Sequence, residues 1–223
     1  MMSGARRAIA ASQSWPGVER AIEVWAQLTE APTRWLDRLI YSRDRYIMAA
    51  RDLVEIVRDY LFGLGLDLTD PLLRITPGCW SSYDGERNHL VVGFGPQDTI
   101  AEVIHELGHK WLRDRPEILK GPPAQEAFGL GPNLAYPGWF YDGWLPKLYL
   151  RCTRWRERRQ FVSAYAMAHP EEDFCETLVA WVRLSRSELL TQIETGPLAP
   201  KFRAMTTLVQ RHGGRGVDPI SCR

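Results

Sequence analysis

The chain has 223 residues, 45% of them hydrophobic and 25% charged, which suits one sizeable domain, or a smaller domain with a helical extension, and excludes wholesale disorder. Its 28 Lys and Arg against 27 Asp and Glu leave a net charge of +1, so no global field draws it toward nucleic acid or an anionic membrane. No uncharged apolar run approaches the ~18 residues of a membrane span. After Arg6 and Arg7, the short Ala8-Ile9-Ala10-Ala11 run falls below the ~7–15 residues of a signal-peptide core, so a cytoplasmic protein is expected.

In chain order, residues 18–30 place Val18, Ile22, Trp25 and Leu28 at helical spacing. Residues 33–62 continue that pattern as one long amphipathic helix or two, stopped at Gly63 and Gly65. The pattern then changes. Residues 72–76 and 88–94 are short apolar runs bounded by Pro77-Gly78, Asp84-Gly85 and Gly93, and both read as strands. Asp98-Thr99 can cap a new helix whose apolar face is Ile100, Val103, Ile104, Leu107, Trp111 and Leu112, ended by Pro116.

Residues 116–147 are rich in proline, glycine and aromatics, and cannot form a long helix. A loop of this length is usually functional or disordered, and the aromatics, among them Trp139, Tyr141 and Trp144, favour function. Arg151, Arg154, Arg156, Arg158 and Arg159 with Trp155 form a basic run, which in a nearly neutral chain is read first as a solvated helix face. Pro170 opens a helix over 171–184, another follows over 201–210, and a glycine-rich tail ends the chain. Cys79, Cys152, Cys175 and Cys222 show no CxxC spacing, so neither a disulfide framework nor a zinc knuckle is expected.

One motif carries chemistry. His105-Glu106-Leu107-Gly108-His109 is HExxH, and it falls inside an expected amphipathic helix. Histidines four apart share a helical face, so both imidazoles can reach one ion, while Glu106 stands beside them without binding it. A catalytic zinc needs three protein ligands and one open position. The pattern therefore suits attack of activated water on a polarised carbonyl. The other histidines, His89, His169 and His212, do not stand at the short spacing that marks metzincins. The best acidic cluster is 171–176, where Glu172 and Glu176 share a face. One can bind the ion and the other accept a ring N–H from a ligating histidine. The same acids would equally suit the dipole of a first helical turn without any metal.

HExxH followed by Ser163-Ala164-Tyr165-Ala166, Pro170 and Glu172-Asp173-Phe174-Cys175-Glu176 resembles gluzincin metallopeptidases of the anthrax lethal factor catalytic-domain type. Cys175 stands where those relatives carry alanine. The resemblance covers about 100 residues, from the strand near Leu90 to about Leu184, and leaves out the N-terminal helices and the tail. It implies His105, His109 and Glu172 as zinc ligands, Glu106 as general base, Glu176 as partner to a ligating histidine, and Tyr165 as donor to the oxyanion. It also implies that the strand over 88–94 is an edge strand lining the substrate cleft.

The expected fold is α+β and mostly helical. A helical region over 1–66 precedes a zincin-like domain over 67–223 with a small mixed sheet, an active-site helix and a glutamate helix. The expected activity is zinc-dependent hydrolysis of a protein or peptide, with no membrane or nucleic-acid partner. The rivals are a non-peptidase zinc hydrolase and a non-enzymatic helical protein that binds through its arginine run.

Overall fold

A computed structural model describes residues 35–68, 72–78, 80–93, 99–128, 160–163, 165–167, 169–184 and 186–212. The expected helix over 18–30, the aromatic segment 129–147, the arginine run and the glycine-rich tail lie outside them. Among the described residues the fold is α+β and mostly helical: α1 Trp35–Gly63, β1 Arg74–Gly78, β2 Ser82–Asp84, β3 His89–Gly93, α2 Thr99–Asp114, a 3-10 turn Ile118–Lys120, α3 Pro122–Phe128, α4 Pro170–Arg183, α5 Arg186–Thr195 and α6 Ala199–His212. No described helix is long and apolar enough to cross a membrane. The chain divides into two compact units. One holds α1, the sheet and α2 as far as Lys110; the other holds Leu64–Leu66 and the residues from Trp111 onward.

In the first unit α1 is a single helix. Ala50, Leu53, Val54, Val57 and Leu61 recur at three- and four-residue spacing and are all buried, giving the helix one apolar stripe. It ends at Gly63, and Gly65 follows at φ +97°, a left-handed conformation that glycine enters without a Cβ clash.

The sheet has the order β1-β3-β2. β1 runs parallel to β3, with Ile75 opposite Leu90, and β2 runs antiparallel to it, with Tyr83 opposite Leu90. The strand expected at an edge is therefore the central one. Strand β2 escapes sequence reading because three residues are too few to show alternation. The β2–β3 turn is held by the Asp84 carboxylate, which accepts from the backbone N–H of Glu86 (3.0 Å) and Arg87 (3.2 Å). Asn88, at φ 48°, completes it in the left-handed region that asparagine tolerates. Leu90 and Val92 are fully buried, and each such side chain contributes ~1.5–3 kcal/mol.

Gly93 closes β3 in a confined place. A Cβ there would lie 2.6 Å from the backbone nitrogen of Ser81 and 2.8 Å from the carbonyl carbon of Trp80. Backbone cannot swing aside as a side chain can.

In the second unit α6 packs against α3, α4 and α5. Trp111, Phe128 and Phe174 meet at its centre: Phe174 lies 5.8 Å from Trp111 and 5.4 Å, edge to face, from Phe128 between ring centroids. Trp181 on α4 donates from its indole N–H to the Thr206 hydroxyl of α6 at 3.0 Å, satisfying a polar atom in the core. Part of the stretch read as loop is helical, because Pro122 and Pro123 occupy the first turn of α3, where no intrahelical N–H is required. Helix α5 was not expected. It is largely polar, and Leu189 is its one fully buried described side chain.

Replacing Gly93 with alanine is expected to destabilise the protein by ~1–3 kcal/mol, the usual cost of overpacking against a fixed wall. Urea unfolding measures it, and a midpoint equal to wild type would show that the Trp80–Ser81 backbone yields freely.

Candidate metal centre

Helix α2 carries the HExxH residues, and its register is set from the sheet. At its start the buried Thr99 hydroxyl donates to the Gly93 carbonyl at 3.2 Å. Ser81 then forms a relay. Its Oγ accepts from the Gly93 N–H at 2.8 Å and donates to the Glu102 carboxylate at 2.7 Å. Glu102 stands three residues before His105, so one hydroxyl ties the end of β3 to the turn that precedes the motif. Ile100, Val103, Ile104 and Leu107 bury the opposite face of the helix.

The two motif histidines converge. Their Nε2 atoms lie 3.2 Å apart, and the rings meet edge to face with centroids 5.0 Å apart. Two Zn–N bonds of ~2.0–2.1 Å at the tetrahedral angle would put their nitrogens ~3.3 Å apart. The pair therefore already has the bite of a zinc site. In the absence of an ion, one ring N–H can donate to the other ring, the direction set by the tautomer. His105 is buried and His109 half-buried, while Glu106, between them in sequence, is half-buried. These are the protections and access that ligands and a proton-carrying carboxylate require.

The remaining histidines are committed elsewhere. His89 Nε2 lies 2.7 Å from the Thr76 hydroxyl on β1. His169 caps α4, its Nδ1 accepting from the Glu171 N–H at 3.2 Å. His212 Nδ1 faces the Glu117 carboxylate at 3.7 Å.

The expected carboxylates sit on α4. His169 as N-cap, Pro170 in the first turn and three successive acids against the dipole explain why the helix begins there. Glu172 and Glu176 are both half-buried on one face. Cys175 shares that face, being three residues from Glu172, and is buried and in no disulfide. The resemblance treats Cys175 only as a small replacement for alanine, yet its position on the stripe makes it a third donor of metal-binding type. Tyr165, 39% exposed, lies ahead of this helix and can be reached by a ligand.

Sequence reading also missed a buried ion pair in this helix. Lys201 on α6 donates to both Asp173 oxygens, at 2.6 Å to Oδ1, with both side chains withdrawn from solvent. The ammonium sits 3.9 Å from the centre of the Phe161 ring and 6.0 Å from that of Phe128. Burial pushes the Asp173 carboxyl up to about 7 despite the pull of Lys201, and burial likewise lowers Lys201. A signal was present: Lys201, Ala204, Met205 and Leu208 share the spacing of an apolar stripe, so the lysine occupies a core position. The pair lines a cleft of about 290 Å³ together with Glu126, Phe161, Pro197 and Leu198.

No protein-family model matches the chain, and no curated protein or solved structure matches it either.

Asp173 in the folded chain keeps its proton from its ordinary 3.8 up to about 7, a range in which the unfolded chain has lost it. Its contribution to stability is thus largest below the ordinary carboxylate range and falls as pH rises through 7. Metal-free protein should lose urea resistance between pH 5 and pH 7.5. The loss should be smaller in the double variant Asp173→Asn with Lys201→Met, and an identical pH slope in the two proteins would remove Asp173 as its source.

Proposed function

We propose that the chain is a zinc-dependent metallopeptidase of the gluzincin kind, with a zincin-like catalytic fold. The observation that carries this is the 3.2 Å approach of the His105 and His109 Nε2 atoms on a helix whose next residue after His105 is a half-buried glutamate. His105 and His109 would hold the ion together with a donor from α4. Glu172 is the donor the resemblance points to, and Cys175 also has the chemistry to complete the set with the two histidines.

A bound zinc supplies Lewis acidity toward a carbonyl and lowers the pKa of water. The chain's own groups do the rest. Glu106 takes the proton from the attacking water and delivers it to the departing amine. The Tyr165 hydroxyl donates to the oxygen on which negative charge develops. Glu176 accepts the outward ring N–H of a ligating histidine and so holds its tautomer. The substrate is a protein or peptide.

Purified protein should carry about one zinc per chain, and His105→Ala should lose it. Glu106→Gln should keep the zinc while hydrolysis of an unstructured protein substrate falls ~10²–10⁴-fold, the usual contribution of a general base. Equal proteolysis by Glu106→Gln and wild type refutes the mechanism, and absence of zinc from wild type refutes the site. Glu172→Gln and Cys175→Ala, assayed for zinc in parallel, identify the third ligand: the substitution that costs the metal marks it.

A further inference from the structure

We propose that the Lys201–Asp173 pair is a positioning strut, whose role is to set the rotation of the first turn of α4 and so the aim of the metal donor that this turn carries. The inference rests on the metal site proposed above. Asp173 is the residue after Glu172 and lies two before Cys175. Its backbone N–H is already fixed on the His169 carbonyl at 2.9 Å, and its carboxylate is gripped through both oxygens by Lys201 of α6. The ammonium is itself held over the Phe161 ring. The chain of restraint runs from α6 through one ion pair into the turn that presents the donors.

Stability alone does not account for such a pair. Dehydrating two charges is expensive, and well-packed apolar residues of similar volume serve as well or better in most cores. An apolar contact, however, leaves a helix able to roll. A two-oxygen grip by a fixed ammonium does not, because rolling lengthens one bond as it shortens the other. The side-chain tips of a helix lie ~5–6 Å from its axis, so a 20° roll carries a donor atom ~2 Å. Metal–ligand distances tolerate only ~0.2 Å. A rotational restraint next to the donor is therefore what a site completed by α4 requires.

The test uses the full chain with Co²⁺ as the probe, whose visible absorption reports ligand geometry without any assay of turnover. Asp173→Asn with Lys201→Met removes the strut while keeping volume. It should fold with a urea midpoint equal to or above wild type, yet bind Co²⁺ ~10–100-fold more weakly, the usual effect of losing a group that orients a ligand, and with an altered spectrum. If that variant does not fold, Lys201→Arg carries the test, since it keeps the charge but lengthens the strut and broadens its head. It should alter the Co²⁺ spectrum and weaken affinity without lowering the urea midpoint. A folded variant with wild-type affinity and spectrum overturns the strut and leaves the metal site standing. A wild-type chain that takes up no Co²⁺ overturns the metal site and the strut together.

Discussion

Two imidazole nitrogens 3.2 Å apart cannot both present lone pairs to each other. Either a proton lies between them or a cation does, and the rest of the proposed chemistry depends on which. Helical periodicity brings the two rings to the same side, but it does not hold them there. The start of their helix is tied to the sheet, by Thr99 on the Gly93 carbonyl and by Ser81 between the Gly93 amide and Glu102. Gly93 takes part in both links, and backbone on the facing segment leaves it no room for a side chain.

Helix α4 divides its circumference among three tasks. Phe174, Leu178 and Trp181 are buried with the aromatic core of the second unit. Asp173, about a quarter turn away, faces Lys201. Glu172, Cys175 and Glu176 share what remains, the glutamates half-buried and the thiol covered. A helix anchored on two sides offers its third as a fixed surface, which is the arrangement a metal donor needs.

Much of this was legible in the sequence. Residues 33–62 and the helix bearing HExxH announced themselves by periodicity, because each buries one stripe against a core, and each appears within a turn of its expected ends. The mixed character of the sheet and the run 88–94 as a strand also match. What escaped had physical causes. Strand β2 is too short to alternate, and α5 buries too little to show a face. The central position of β3 follows from which strand pairs with which, a non-local fact that no local run of letters contains. The Asp173–Lys201 pair was hidden because an acid in a first helical turn has a sufficient local reason to be there. Only its lysine, out of place on an apolar stripe, hinted at a partner. The convergence of His105 and His109 was readable because it depends on spacing within one element; the ligand from α4 was not, because it depends on tertiary placement.

The order of strands in the sheet has a bearing on how the first unit assembles. β2 and β3 are joined by four residues whose turn Asp84 already fastens, so they can zip together from immediate neighbours, a microsecond event. β1 precedes both in the chain and lies parallel to β3 on the edge away from β2, so its pairing is the less local of the two. Loop-closure entropy therefore favours a hairpin that forms first and is then joined by β1. A mutation that slackens the Asp84 turn would delay the whole sheet, whereas one in β1 would chiefly hasten its departure.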